Sequence, residues 1–264
     1  MSDNKPRSAK EARRLFKEKA GELLLPQGFF YKQGCYYRIH PGKFILCVNL
    51  FFYYGGGFDI LHDSGLFCEG AEHVLNPDGW RITEVAALAG LPRINPFFTP
   101  YDELMEIELE AFHKAAEDFI SIQSLEQDYR YRQWIRRGAA IGNYGIALEC
   151  LQIGEYQSAL RHLAWTLENE KHLQAGDEGR YTKILTYYRD SKTTDEKQKY
   201  ERAAEIQKTE IEARSKKIRL LETRYKQFLN GDYSGAQEDF EENCKTTDAT
   251  CRREFGRVYT KLVD

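Results

Sequence analysis

Two runs of β-branched and aromatic residues, within Gln27–Tyr54, flank the tetrapeptide His40-Pro41-Gly42-Lys43. Proline presets the backbone for the first central position of a turn, and glycine accepts the positive φ of the second. A chain carrying this segment must build an antiparallel hairpin, and that constrains the rest of its N-terminal half. With Ile39 opposite Phe44, the expected register places Cys35, Tyr37, Ile39, Phe44, Leu46, Val48, Leu50 and Phe52 on one apolar core face. Tyr36, Arg38, His40, Ile45, Cys47, Asn49, Phe51 and Tyr53 then share a mixed face. That face reads either as a second packing surface against later helices or as a binding surface, with Tyr36, Arg38, Phe51 and Tyr53 as its candidate contacts.

The flanking segments supply partners for the hairpin. Ser8 and Glu11 fit a capping box. Ala12, Leu15, Phe16, Ala20, Leu23 and Leu24 follow at helical spacing until Pro26. Gly55-Gly56-Gly57 reads as a strand break, Phe58 to His62 as a third strand, and Leu66 to Cys68 as a further short one. Asn76-Pro77-Asp78-Gly79 is a turn signal, and Ile82 to Ala89 a short helix. Thr99 and Pro100 start a helix whose stripe is Leu104, Ile107, Ala111, Phe112, Ala115, Phe119 and Ile122.

Glu103, Glu106, Glu110, Glu117 and Asp118 lie mostly off that stripe. They belong to a wider asymmetry. The 264-residue chain has a net charge of only −3, yet residues 44–128 hold fifteen acids against three bases. An outward acidic belt of this kind repels nucleic acid and attracts a basic partner.

Beyond Tyr129 the pattern is helical. Leu151 to Leu160 and Phe228 to Gln237 both contain G-[DE]-Y-x-x-A. The first, with Gly154, Tyr156, Ala159, Leu160, Leu163 and Leu167, resembles the turn and second helix of a tetratricopeptide repeat. Asn143 stands where the repeat has tryptophan. The two echoes are not separated by a multiple of its period of about 34 residues, which predicts two such hairpins rather than a solenoid. Between them, Thr194 to Asn230 has dense mixed charge and almost no breaker. It predicts a solvated helix of about 50 Å with a narrow seam of Ile206, Ala213, Ile218 (or Lys217), Leu221 and Tyr225. The expected fold is α+β: residues 1–126 form an antiparallel sheet packed on helices, and 127–264 an all-helical domain.

Catalytic signatures are missing. There is no Walker loop, GxGxxG, HExxH or GxSxG in the chain. His62-Asp63-Ser64 holds triad residue types, but neighbours on a strand point to opposite faces. His40, His62 and His73 are the histidines on which a metal-dependent hydrolase would rest, with Asp59, Asp63 or Glu72 beside them. The six cysteines form no CxxC pair and read as free thiols of a reducing compartment. No apolar run spans a bilayer, and the basic N-terminus has no apolar core after it, so the expected location is the cytoplasm.

The order of the N-terminal unit also carries a family resemblance. An amphipathic helix leads to Pro26, Gly28 and Phe29, then to Tyr36-Tyr37-Arg38, then to the strand Ile45 to Leu50. This resembles the bacterial domain of unknown function 4304 family over roughly residues 10 to 65. Lys32 and Arg38 stand where that family has bases, while Phe51 replaces its glutamine. The resemblance implies a bacterial or phage protein that binds rather than catalyses, and no catalytic or cofactor residues carry over. The expected function is therefore a non-catalytic protein-binding module of the immunity or inhibitor type. It would need no cofactor or metal and would engage a basic protein through the acidic belt. The alternative is a helical scaffold or adaptor subunit, with self-association through the long helix left open.

Overall fold

The computed structural model describes residues 9–53, 57–69, 80–81, 101–115, 117–136 and 143–263. The Ser8 cap, the Asn76–Gly79 turn, the Ile82–Ala89 helix, the Thr99–Pro100 helix start and His73 lie outside the described residues. The chain divides into two compact units, Met1–Ala139 with Phe240–Asp264, and Ala140–Asp239. The first unit is α+β and the second is helical.

In the first unit, α1 (Ala9–Leu15) continues through a π-helical turn, Phe16–Ala20, and a last α turn, Gly21–Leu24. A 3-10 turn, Leu25–Gln27, follows, and Gly28 closes it in the left-handed region at φ 82°. Five strands then form an antiparallel meander in sequence order: β1 (Phe30–Lys32), β2 (Cys35–His40), β3 (Phe44–Phe52), β4 (Phe58–Leu66) and β5 (Trp80–Arg81). The expected third and fourth strands are one: β4 runs unbroken to Leu66, and Phe67–Glu69 is a 3-10 turn.

The hairpin forms where expected, in a different register. His40 pairs with Phe44 and Ile39 with Ile45. Lys43 N–H donates to the His40 carbonyl, and Gly42 has φ 70°. A turn of this hand splays the strands if it closes a two-residue loop. The chain adds Lys43 to the loop instead, and the one-residue slip reassigns every side chain of one strand to the other face. Tyr36, Arg38 and His40 therefore share a face with Phe44, Leu46, Val48, Leu50 and Phe52, whereas Tyr37 and Ile39 share the opposite face with Ile45 and Cys47.

Both faces are covered. On the first, Tyr36 packs edge-on against Phe16, with centroids 5.5 Å apart. The His62 ring of β4 meets Phe112 of α2 (Tyr101–Ala115), Phe119 of α3 (Glu117–Ser121) and Tyr131 of α4 (Leu125–Arg136). On the second, Tyr37, Ile39, Ile45, Cys47 and Phe67 bury against Cys251, Phe255 and Tyr259. Those three come from α8 (Ser234–Phe255) and α9 (Arg257–Val263). The expected boundary between residues 126 and 127 thus falls inside the first unit. α4 is bonded to β4, and the end of the chain returns to the sheet because only there can its apolar stripe leave water.

The second unit holds α5 (Tyr144–Gln152), α6 (Tyr156–Asp190), α7 (Thr194–Leu229) and the first residues of α8. The two echo motifs are its base. Gly154 (φ 79°) and Gly231 (φ 72°) each end a helix in a six-to-one turn, with Glu155 N–H bonded to the Cys150 carbonyl and Asp232 N–H to that of Gln227. The turns lie side by side: Tyr156 and Tyr233 stack at 4.9 Å, and Gln152 bonds Gln237 at 2.6 Å. Ala159 and Ala236 are buried behind them.

α6 and α7 run antiparallel from this base, and a capping box of Thr193 and Glu196 starts α7. Their seam is apolar at Leu163, Ile218 and Leu221, then ionic: Arg214 holds Asp177 at 2.7 Å and Glu170 at 2.6 Å. Ile206 and Ala213, expected in the seam, face outward; Ile206 is 62% exposed. The ionic pairing replaces them there and sets the alignment of the two helices. Among the described residues, no helix is long and apolar enough to cross a membrane.

Candidate functional site

Helical spacing puts Glu103, Glu106 and Glu110 on one side of α2, while Leu104, Met105, Glu108 and Phe112 bury the other. Glu117 and Asp118 are exposed in the first turn of α3, where carboxylates suit the helix dipole. All five candidate belt residues are thus on the surface, on successive helices. Two are ion-paired: Glu106 with Lys19 at 2.5 Å, and Glu110 with Lys114, which draws the Glu110 carboxyl below the usual range. Glu103, Glu117 and Asp118 have no ion-pair partner among the described residues.

The belt is smaller than the charge count of residues 44–128 implies, because several of its acids are interior. Asp59, Glu108 and Asp128 are fully buried. Burial, then the neighbouring charge of Asp59, pushes the Glu108 carboxyl up to about 9. Glu108 is therefore protonated at neutral pH, and its Oε2 accepts from the Ile60 N–H at 3.2 Å. Asp59 accepts from the Tyr53 hydroxyl at 3.0 Å. Arg132, itself buried, binds Asp128 at 2.8 Å, the Ser64 hydroxyl at 3.0 Å and the Ser64 carbonyl at 2.9 Å, with Glu69 at 3.8 Å.

The sheet-face residues separate. Tyr36 and Arg38 are buried, on the face opposite Phe51 and Tyr53, so the four make no common surface. Tyr36 donates to the carbonyl of Lys17, in the π-helical turn. Arg38 stacks over Phe29 and donates to the carbonyls of Gln27 at 3.1 Å and Ile122 at 2.7 Å. It ties the α3–α4 connection to the sheet. Phe51 is 38% exposed and stands edge-on to the half-buried Tyr53.

His40 and His62 do not converge. Along the sheet His40 aligns with Phe44 and Leu66, while His62 aligns with Val48 and Tyr36, two strands and four residues away. Burial lowers His40 to about 4, so it is neutral at physiological pH. His62 is buried with Nε2 at 2.6 Å from the Tyr131 hydroxyl. Among the described residues, no three His, Cys, Asp or Glu side chains are grouped to hold a metal ion.

Sequence reading missed a groove of about 280 Å³ between α3 and α4, lined by Asp118, Ser121, Ile122, Gln127, Arg130, Tyr131 and Trp134. Tyr131 is held from beneath by His62, and burial, followed by the charge of Asp118, raises its phenol pKa. A sequence signal was available: Ser124 and Gln127 form a capping box that starts α4 after a three-residue connection from α3. Compared with family models, with curated proteins and with solved structures, the chain matches none.

Proposed function

We propose that the protein is a cytoplasmic, non-catalytic binding module of the immunity or inhibitor type, engaging a basic protein through the exposed carboxylates of α2 and α3. The observation that carries this reading is that Glu103, Glu117 and Asp118 stand exposed without an ion-pair partner among the described residues, beside Glu106 and Glu110 on the same two helices. Unneutralised like charges at a surface speed the approach of an opposite charge and discriminate against nucleic acid. On the sheet Phe51 is the exposed candidate contact, whereas the Tyr53 hydroxyl is bonded to Asp59 and Tyr36 and Arg38 serve the interior. The test is the salt dependence of association with basic proteins of the host extract. The variant Glu103→Lys/Glu117→Lys/Asp118→Lys should lose those bound by the wild type at low salt. Equal retention of the same proteins would overturn the reading.

A second reading, a helical scaffold, is favoured by the outward stripe of α7. Ile206, Ala213 and Leu220 recur every seven residues; Ile206 and Leu220 are 62% and 40% exposed. Light scattering on Ile206→Glu/Leu220→Glu discriminates: an assembly present in the wild type and lost in the variant supports the scaffold, and an unchanged monomer removes self-assembly through this stripe.

A further inference from the structure

We infer that the groove between α3 and α4 receives one arginine side chain of the basic partner, an inference that rests on the binding-module reading above. The groove's volume, about 280 Å³, lies just under the range of whole small-molecule sites and suits a single long side chain. Its chemistry selects a cation. Asp118 is an exposed carboxylate at the rim with no ion pair among the described residues. Arg130, the one cation in the lining among the described residues, is paired with Glu126 at 2.5 Å, so the described charges around the groove leave a net negative one. An anionic ligand would meet a guanidinium already paired with Glu126 and the exposed charge of Asp118.

The walls select a planar cation on an apolar stem. Trp134 is 42% exposed, a large ring surface left open to solvent, and it tilts against Tyr131 with centroids 5.8 Å apart. Aromatic faces attract guanidinium groups, more so where water is excluded. The exposed ring of Trp134 also offers an apolar surface to the methylenes, over a floor closed by buried Ile122. The Gln127 side-chain oxygen is committed to the N–H groups of Gln123 and Ser124, which leaves its amide to line the groove without drifting. Below, His62 fixes Tyr131 and Arg38 fixes the Ile122 carbonyl, so the groove is preformed.

The test uses the full chain and the blocked residue acetyl-arginine-amide, with its uncharged citrulline counterpart as control. The readout is the indole N–H resonance of Trp134, assigned through Trp134→Phe. The expected result is a saturable shift with the arginine probe, about tenfold weaker binding in Asp118→Asn, and no saturation with citrulline. A static Trp134 resonance, or equal response to citrulline, overturns the inference. An octa-arginine peptide separates this outcome from failure of the acidic face. If Glu103→Lys/Glu106→Lys weakens octa-arginine while Trp134 never moves, the groove inference falls and the acidic face stands. If acetyl-arginine-amide saturates the groove while octa-arginine ignores those substitutions, the groove stands and the acidic face falls.

Discussion

Replacing Glu108 by glutamine should stabilise the protein, by an amount that depends on pH. Folded, Glu108 is buried beside Asp59 and its carboxyl is raised from 4.5 to about 9. Unfolded, it ionises in the ordinary way. A carboxyl raised on folding contributes most to stability below the unfolded value of 4.5, and that contribution is lost as pH climbs toward the folded value. At pH 7 the folded chain must take up a proton that the unfolded chain has released. At about 1.4 kcal/mol per pH unit above 4.5, this costs roughly 3 kcal/mol. Glutamine is isosteric and uncharged. Its oxygen can accept from the Ile60 N–H as Oε2 does, and its amide can donate toward Asp59. Urea unfolding of both proteins should show Glu108→Gln more stable by up to about 3 kcal/mol at neutral pH, with the gap closing to near zero around pH 4. An equally stable variant at neutral pH, or a difference that does not change with pH, would refute the protonated buried acid.

Arg132→Leu should destabilise by about 3–5 kcal/mol, because Asp128 and Glu69 would remain buried without their cation; Asp128→Asn/Glu69→Gln in the same chain should recover part of the loss in urea unfolding. Gly21→Ala should cost about 1–3 kcal/mol despite better helix propensity, since the new methyl would lie 2.7 Å from the Tyr36 hydroxyl; in a Tyr36→Phe background the penalty should vanish, and a penalty that persists there would exclude the close approach as its cause. The Cys35 thiol is brought down to about 6 by its hydrogen bond with the Cys47 thiol, whereas burial lifts Cys244 to about 11. Mass-spectrometric alkylation near pH 7 should therefore mark Cys35 more than about tenfold faster, and Cys47→Ala should slow it; equal rates would contradict the pairing.

Much of the architecture was legible because it depends on neighbours in the chain. His40-Pro41-Gly42-Lys43 turns, Gly154 and Gly231 end helices, and Thr194 to Leu229 is one long helix, as their local patterns imply. The register was not legible, because whether Lys43 belongs to the strand or the loop is decided by the twist of two strands already paired. The second long helix was hidden by Gly176 and Gly179, which weaken its pattern while its pairing with α7 carries it through. The candidate site divided the same way. The exposure of Glu103, Glu106 and Glu110 followed from helical period, while the interior fate of Asp59, Glu108 and Asp128 did not.

Local pattern alone therefore determined the hairpin turn, the helix ends at Gly154 and Gly231 and the span of α7, since propensity, capping and periodicity act within a few residues. Tertiary structure alone decided which charges reach the surface, where α3 and α4 leave a groove, and that Cys251, Phe255 and Tyr259 close the sheet. The reason is that burial and pairing are set by groups far apart in the chain: Arg132 beside Ser64, Arg38 beneath Ile122, Thr247 bonded to the carbonyl of Phe67. A carboxylate's charge and exposure belong to the neighbours that folding brings to it, and no window of the sequence contains them.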